Sequence, residues 1–231
     1  MKQLPRPEIY EQEIKYMPWG ILIKEVLRWT VKNTPQKANV LDLMCGPGQL
    51  LNQIKASRKD LTLTGVDNDK RYINFASKKY PDIKFICTDA LDWQTKDKYD
   101  LVLVTGGLHH VPYDQQSTFL GRIVRILNKK GVCILADPYI DDYSNEQERK
   151  VAAARLGYEY IKAVIENDAP DEIVSAAIDI LTNDVLPNGE YKNSVVKTKK
   201  LISSLFSRND IHKTWPKKET EYGDYYLIMQ K

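Results

Sequence analysis

A short glycine loop is the segment of this sequence with the clearest chemical purpose. The apolar run that begins near Val40 contains Asp42 and leads into Gly46 and Gly48, after which a helical pattern starts. Glycines in such a loop let the backbone approach a ligand closely at the N-terminus of a helix. A dinucleotide-binding fingerprint would need a third glycine at the position of Leu51, so the loop argues against a dinucleotide.

Two further aspartates end the next two apolar runs. Asp67 ends the second run and Asp89 ends the third. A carboxylate at the first position can accept hydrogen bonds from both hydroxyls of a ribose, and one at the second can accept from the exocyclic amine of a base. Either aspartate alone could instead cap the N-terminus of a helix. Because the acids follow the glycine loop in order, we interpret the set as a binding site for a cofactor.

Alternating strands and helices must position these residues. Short apolar runs rich in β-branched residues alternate with amphipathic stretches, a pattern typical of a parallel sheet with right-handed crossovers. We predict strands at 38–44, 61–67, 83–88, 99–105 and 132–137, and helices at 49–57, 69–79 and 115–127. The predicted fold is a Rossmann-like, doubly wound α/β fold with a mostly parallel seven-stranded sheet, in which ligands bind at the carboxyl ends of the strands.

The rest of the chain is predicted to elaborate this core. We divide a single domain into an N-terminal lid helix at 9–32, a cofactor-binding core at 38–138, a helical insert after the fifth strand at 139–206 and closing strands at 207–231. The insert and the lid helix are expected to lie near each other over the carboxyl ends of the strands. Apolar residues at helical spacing predict the face with which the insert packs; they are Val151, Ala154, Tyr158, Ile161 and Ile165.

The loop and its acids resemble those of the class I S-adenosylmethionine-dependent methyltransferases. That family has an acid-x-G-x-G-x-G loop after its first strand, acids at the ends of the second and third strands, and an acid that opens the fourth, matched here by Asp100. The resemblance covers roughly residues 38–138. It implies that S-adenosylmethionine is the cofactor and S-adenosylhomocysteine the product. Met44 departs from the pattern, since it replaces the first glycine of the loop and is expected to crowd the carboxylate end of the cofactor.

The resemblance also implies which residues hold the cofactor. Asp67 would bind the ribose, Asp89 with Ala90 the adenine, and Thr105 with Gly106 the methionyl side. The remaining positions lie in the loop or beside these residues. The complete set is Asp42, Met44, Cys45, Gly46, Gly48, Asp67, Asn68, Asp89, Ala90, Thr105 and Gly106.

His109 and His110 follow the fourth predicted strand. In the family this segment faces the transferred methyl group, and many members with small-molecule substrates carry a similar Leu-His-His stretch. Because the sulfonium donor is already reactive, the enzyme mainly aligns the nucleophile and removes its proton. A neutral imidazole suits that task near pH 7. We expect a catalytic histidine here, with a preference for His110; alternatively, one histidine packs under the loop and binds the backbone.

Aromatic residues in the two added segments are candidates for the substrate pocket. They are Tyr16 and Trp19 near the N-terminus and Tyr139 and Tyr143 in the insert. Amphipathic rings suit a partly apolar organic substrate, although packing between helices is the commoner role of any single ring. We therefore expect methyl transfer to an oxygen, nitrogen or carbon atom of a small organic acceptor. The alternatives are an RNA or protein methyltransferase and a cofactor-binding module without catalysis, which Met44 would favour.

Composition argues against several other classes of protein. The net charge of +3 is spread over 231 residues, which does not predict a nucleic-acid partner. No apolar run approaches the length of a membrane span, and Met1–Pro7 lacks the apolar centre of a signal peptide. Cys45, Cys87 and Cys133 show no CxxC spacing, so we expect reduced thiols in a cytoplasmic protein, either a monomer or a homodimer.

Metal binding is not predicted from the sequence. Asp137, Asp141 and Asp142 could approach the two histidines, and carboxylates with imidazoles can bind metal ions. Clustered acids in a loop are more often solvated or involved in capping. We therefore expect no metal ion.

Overall fold

A seven-stranded sheet with helices on both faces forms the centre of the molecule. The structure is a computed structural model that describes residues 5–186 and 190–231. Its strands are β1 (Asn39–Leu43), β2 (Thr62–Asp67), β3 (Lys84–Cys87), β4 (Tyr99–Thr105), β5 (Leu127–Tyr139), β6 (Arg208–Trp215) and β7 (Gly223–Gln230). Their order is β3-β2-β1-β4-β5-β7-β6. Strands β1 to β5 are parallel, and β7 is antiparallel to both of its neighbours, which confirms the predicted fold.

Helices cover both faces of the sheet and its carboxyl edge. They are α1 (Pro7–Tyr16), α2 (Trp19–Asn33), α3 (Gln49–Ser57), α4 (Lys70–Lys79), α5 (Tyr113–Ile126), α6 (Glu146–Glu166), α7 (Asp171–Val185) and α8 (Val195–Ile202). Helices α6 to α8 lie between β5 and β6 in the chain. Among the described residues, no helix combines the length and the apolar character needed to cross a membrane.

The central strands are apolar on both faces because both faces are covered. Leu41 and Val102 face one hydrophobic cluster, which also contains residues of α5 and α8. Val40 and Leu101 face the other, with residues of α2 and α3. Burying one such side chain stabilises the fold by about 1.5–3 kcal/mol. These clusters fix the strand ends, and with them the loops that carry the candidate site.

The N-terminal segment forms two helices where a single helix was predicted at 9–32. Helix α1 ends at Tyr16 and α2 begins at Trp19. Pro18 lies between them and interrupts the helix because it has no N–H group to donate. Residues 1–4, part of the segment in which we expect no signal peptide, and residues 187–189 of the insert lie outside the described residues.

The predicted packing face of α6 is wrong. Val151, Tyr158 and Ile165 of that face are 51%, 65% and 57% exposed. The buried face includes Ala152, Ala153, Leu156, Gly157, Tyr160 and Val164. Small residues on this face let α7 approach closely: a Cβ added to Gly157 would lie 2.2 Å from Cδ1 of Leu181.

Candidate active site

The glycine loop has left-handed backbone geometry at three positions. The φ angles are 60° at Met44, 54° at Gly46 and 79° at Gly48, the residue that precedes α3. Met44 therefore adopts a conformation that favours glycine. Its side chain lies against Gly107, where an added Cβ would be 2.9 Å from the Met44 sulfur. The backbone at Met44 is thus the one expected of a glycine, while its side chain occupies space beside the loop after β4.

Asp67 ties the end of β2 to the glycine loop. Its Oδ2 accepts a hydrogen bond from the Gly46 N–H and its Oδ1 accepts one from the Asp69 N–H, both at 2.8 Å. Burial raises the pKa of Asp67, and the two N–H groups oppose that rise. Each carboxylate oxygen has more than one lone pair, so Asp67 can still accept hydrogen bonds from a ligand.

Asp42 and Thr105 present buried polar atoms to a small cavity beside this loop. Oδ1 of Asp42 and Oγ1 of Thr105 have no hydrogen-bond partner within the described part of the chain. Both residues line a cavity of about 30 Å³, together with Met44 and Cys45. Burial raises the pKa of Asp42, and the charge of Asp67 raises it further. A buried carboxylate of this kind needs a hydrogen-bond donor or a cation beside it.

The predicted cofactor residues after β3, and the remaining ones near the glycine loop, include two that make common local hydrogen bonds. Oδ1 of Asp89 accepts a hydrogen bond from the Leu91 N–H at 2.8 Å, so this carboxylate caps a turn. Ala90 is buried and Asn68 is exposed. The Cys45 thiol donates to the Gly46 carbonyl oxygen at 3.6 Å. Capping and ligand binding are compatible at Asp89, because its second oxygen is not used by this turn.

Helix α1 lies over the glycine loop. The Tyr10 ring would be 3.5 Å from a Cβ placed on Gly46, and it packs against the rings of Trp19 and Tyr72 with centroid distances of 5.4 and 5.6 Å. Glu11 fixes α1 to α4 by accepting hydrogen bonds from Lys79 and Tyr80. The N-terminal segment therefore covers the region in which the sequence places the cofactor.

A larger cavity of about 230 Å³ lies between the N-terminal helices, α7 and the loop after β4. Apolar and aromatic residues, including Met17, Leu22 and Ile180, form much of its wall. Trp19 lines both this cavity and the smaller one, so the two adjoin. Two polar side chains of the larger cavity, Glu190 and Lys192, lie near His109 and His110.

An aspartate at the end of the sheet orients His109. Nδ1 of His109 lies 2.5 Å from Oδ1 of Asp137, and the His109 N–H donates to Oδ2 of the same carboxylate at 3.3 Å. The His109 side chain is 13% exposed, whereas that of His110 is 43% exposed. Burial lowers the pKa of His109, and Lys192 lowers it further against the opposing charge of Asp137. The geometry thus favours His109 over His110, the histidine preferred from the sequence, as the oriented imidazole.

Glu190 and Lys192 complete this polar cluster and were missed by sequence reasoning. Oε2 of Glu190 lies 3.2 Å from Nδ1 of His110 and 3.7 Å from Nε2 of His109. Burial raises the pKa of Glu190, but the hydrogen bond from His110 and the charges of both histidines and Lys192 hold it below its usual range. Nζ of Lys192 lies 3.4 Å from Oδ1 of Asp184, and both side chains are buried. Periodicity gave no signal because Glu190 and Lys192 lie outside any helix or strand.

The structure separates the four aromatic substrate candidates. Trp19 lines the larger cavity. Tyr139 does not, because it is 1% exposed and packs against Tyr225 in the core. Tyr143 lines a different cleft, where its hydroxyl donates to that of Tyr113.

Tyr16 also lies outside the cavity wall, where its carbonyl oxygen accepts from Asn167. Two other tyrosines, Tyr10 and Tyr160, line the larger cavity.

The acids that the sequence suggested for a metal ion have other partners. The Asp141 carboxylate pairs with Arg155, and the Asp142 carboxylate accepts a hydrogen bond from the Ser194 hydroxyl.

Comparison with known proteins identifies the central part of the chain. Residues 40–131 match a family model described as a methyltransferase domain. Trans-aconitate 2-methyltransferase of Escherichia fergusonii is 30% identical over 99 residues, which are 43% of this chain and 38% of that protein. Demethylmenaquinone methyltransferase of Thermotoga maritima is 27% identical over 115 residues, or 49% of this chain and 48% of that protein. The matched segments thus span less than half the length of these relatives.

Solved structures share the fold over most of the chain. The plantazolicin methyltransferase BpumL in complex with SAH superposes with a TM-score of 0.60 at 14% identity, covering 97% of this chain and 98% of that one. Magnesium protoporphyrin IX methyltransferase from Synechocystis PCC 6803, with bound SAM, gives 0.57 at 16% identity, covering 91% and 78%. At this level of identity the likeness concerns the fold.

Proposed function

This chain contains a methyltransferase domain of the class I S-adenosylmethionine-dependent family, and from that premise we propose that it transfers the methyl group of S-adenosylmethionine to a small organic acceptor. The observation that carries the proposal is a pair of buried oxygens beside the glycine loop, Asp42 Oδ1 and Thr105 Oγ1, for which residues 5–186 and 190–231 supply no hydrogen-bond partner. The ammonium group of the cofactor's methionyl part is a donor and a cation, so it meets the need of both oxygens.

The other predicted cofactor residues fit the same ligand. Gly46 and Gly48 form the left-handed turn that leads into α3, and the N-terminus of a helix favours a carboxylate. Asp67 has lone pairs left for the ribose hydroxyls, and Asp89 has one oxygen free of its turn for the adenine amine. Tyr10 and Trp19 would close over the bound cofactor, which gives α1 the role of a lid.

The histidine cluster lies where an acceptor would be held. When bound, S-adenosylmethionine supplies an electrophilic methyl group: its C–S bond breaks as the bond to the acceptor forms, and S-adenosylhomocysteine remains. The chain itself aligns the acceptor in the larger cavity and removes its proton. Asp137 orients His109 so that Nε2 faces Glu190. In this proposal, Nε2 accepts the proton that the acceptor loses.

The shape of the larger cavity favours a small acceptor over RNA or protein. Its volume of about 230 Å³ and its apolar wall suit a partly apolar organic molecule bearing one polar group at the histidine end. The names of the two sequence relatives indicate small acceptors, trans-aconitate and demethylmenaquinone, which supports the same class. The acceptor atom is left open among oxygen, nitrogen and carbon.

We further place the enzyme in the cytoplasm, and the support is the state of the three cysteines, all of which are free in the structure. That it is a monomer or a homodimer stays a prediction from the sequence. The division of the chain into a lid helix, core, insert and closing strands is likewise part of the proposal.

Transfer of a labelled methyl group tests this function. The purified chain is incubated with S-adenosylmethionine labelled in its methyl group and with separate pools of organic acids, quinols, small amines, bulk RNA and bulk protein. We expect label to enter a small-molecule pool, and the His109→Ala variant to lose this transfer. Label that enters only RNA or protein would contradict the small-acceptor assignment, and tight cofactor binding without transfer to any pool would favour a non-catalytic module.

A further inference from the structure

Three side chains of the larger cavity bring donor atoms close together. One donor atom from each of His109, His110 and Glu190 lies within 4.8 Å of the other two. Glu190 Oε2 is 3.2 Å from His110 Nδ1 and 3.7 Å from His109 Nε2. Tetrahedral zinc with ligand bonds of about 2.1 Å would place its ligand atoms about 3.4 Å apart. The two distances from Glu190 bracket this value, and the donor atoms of the two histidines lie within 4.8 Å of each other, so side-chain movements that close this third distance would complete three bonds to one ion.

Asp137 makes the contact with His109 that usually accompanies a histidine ligand of a metal ion. A histidine that binds a metal usually donates its other ring N–H to a carboxylate, which fixes the tautomer and the ring orientation. Asp137 occupies this position, with Oδ1 2.5 Å from Nδ1 of His109. Nε2 is therefore the free donor of His109, and it is the atom that faces Glu190.

Charge and access also suit a divalent cation. The carboxylates of Glu190 and Asp137 together balance two positive charges. Lys192, a buried lysine whose charge also reaches the cluster, is paired with Asp184 at 3.4 Å, so these two charges offset each other. The cluster lies on the wall of the cavity, so a fourth coordination position opens to a ligand, as in catalytic metal sites with three protein ligands.

We propose that His109, His110 and Glu190 bind a divalent transition-metal ion of the zinc type, oriented by Asp137. Two imidazoles and a carboxylate are a donor set that such ions favour. This differs from the expectation drawn from sequence, which considered only the acids near the histidines and did not include Glu190. An ion at this place would act as a Lewis acid toward an oxygen of the acceptor and ease the loss of its proton to water, and Nε2 of His109 would then bind the ion instead of the proton. This role of the ion rests on the proposed function and requires an acceptor that carries a hydroxyl or carboxylate oxygen.

Metal binding can be measured without an acceptor or turnover. The purified chain is stripped with a chelator, dialysed, and titrated with Zn²⁺ in competition with a chromophoric chelator, and with Co²⁺ monitored by visible absorption. We expect stoichiometric binding and the absorption bands of cobalt with nitrogen and oxygen ligands. Binding should weaken at least about 100-fold in His110→Ala and Glu190→Gln, and about 10- to 100-fold in Asp137→Asn.

His212 provides the matched control. It is exposed on β6, where it stacks on Tyr226, and does not line the cavity. His212→Ala should bind both metals as the wild type does. Absence of binding to the wild type, or equal binding by the wild type, His110→Ala and Glu190→Gln, would overturn the proposal.

Calorimetry with S-adenosylhomocysteine on the same samples separates this result from the proposed function. Product binding with no metal binding removes the ion and leaves the methyltransferase assignment in place, with His109 taking the proton directly. Metal binding with no binding of the product or of S-adenosylmethionine supports the ion and removes the cofactor assignment.

Discussion

Both carboxylate oxygens of Asp137 contact the same residue, His109: one lies 2.5 Å from Nδ1 and the other accepts the main-chain N–H at 3.3 Å. Asp137 is on β5 and His109 is in the turn after β4, so the contact joins the ends of two adjacent parallel strands. The imidazole is consequently fixed by the sheet itself. The same orientation of Nε2 suits either a base or a metal ligand, which are alternative uses of its one lone pair, and it gives the first prediction.

Replacing Asp137 with Asn should impair turnover while sparing cofactor binding. The amide cannot supply the negative charge and allows the wrong tautomer of His109. We expect kcat to fall by about 10²–10⁴-fold, the range of a general base, with little change in the dissociation constant of S-adenosylmethionine. Steady-state kinetics with the acceptor found by label transfer would measure this. Asp141→Asn, which alters an exposed pair with Arg155, is the control and should keep its kcat.

Replacing Tyr10 with Ala should speed release of the cofactor. The ring lies over Gly46 and packs on Trp19 and Tyr72. Aromatic pairs contribute about 0.5–1.5 kcal/mol each, so we expect the dissociation rate of S-adenosylhomocysteine to rise by about two- to tenfold in stopped-flow measurements. Tyr16→Ala, on the same helix but away from the cavity wall, should leave the rate unchanged. An unchanged rate in the Tyr10 variant would remove the lid role of α1.

Asp224 should make stability depend on pH. It accepts a hydrogen bond from Tyr160 of α6 and also faces the charges of Lys192, in the loop before α8, and Asp137 on β5. Burial raises the pKa of Asp224 to about 7, against the effects of Tyr160 and Lys192. Protonated Asp224 is therefore the favoured form in the folded protein. Its contribution to the free energy of unfolding is present at low pH and is lost as the pH rises through about 7.

Asp224→Asn should remove this dependence. The amide oxygen still accepts from Tyr160, but the side chain no longer titrates. The free energy of unfolding of the variant, relative to the wild type, should increase by about 2–3 kcal/mol between pH 5 and pH 8, because one pKa unit corresponds to about 1.4 kcal/mol. Urea titrations at the two pH values measure it. Asp210→Asn, on β6, where the half-exposed carboxylate pairs with Arg208, should show no such change; a constant difference for Asp224→Asn would contradict the raised pKa.

Gly157 and Gly121 offer a matched pair in two helices. A Cβ at Gly157 would lie 2.2 Å from Cδ1 of Leu181, whereas one at Gly121 meets nothing within 4 Å. Gly157→Ala should thus destabilise the chain by about 1–3 kcal/mol through overpacking. Gly121→Ala should stabilise it by up to about 1 kcal/mol through helix propensity. Thermal unfolding distinguishes the two, and equal effects would show that α6 and α7 are not closely packed.

The sheet could be predicted from sequence because its signal is local. Each strand from β1 to β4 is a short apolar run, and the acids near the ends of the first three, Asp42, Asp67 and Asp89, mark the carboxyl edge. The packing face of α6 could not be predicted in this way. Hydrophobicity selected Val151, Tyr158 and Ile165, but close helix contact selected Ala152, Ala153 and Gly157 instead.

The candidate site was predictable only in part, for a similar reason. The residues of the glycine loop and the histidine pair lie beside strands and carry recognisable spacing. Glu190 approaches the histidines through tertiary folding alone, from a segment between α7 and α8 without periodicity. Tyr139 was a candidate for the substrate pocket, but β5 extends to this residue. Cys133, Leu135 and Tyr139 all belong to the hydrophobic cluster beside α5.

Calorimetric binding of S-adenosylmethionine and S-adenosylhomocysteine tests the central claim most directly. We expect the wild type to bind both, and Asp67→Asn to bind them about 10- to 100-fold more weakly, since hydrogen bonds to a charged group contribute about 1.5–3 kcal/mol. Asp92→Asn, an exposed aspartate near the end of β3, should bind as the wild type does. A folded wild-type protein that binds neither compound, or an Asp67 variant that binds both unchanged, would contradict the assignment of the cofactor to the glycine loop.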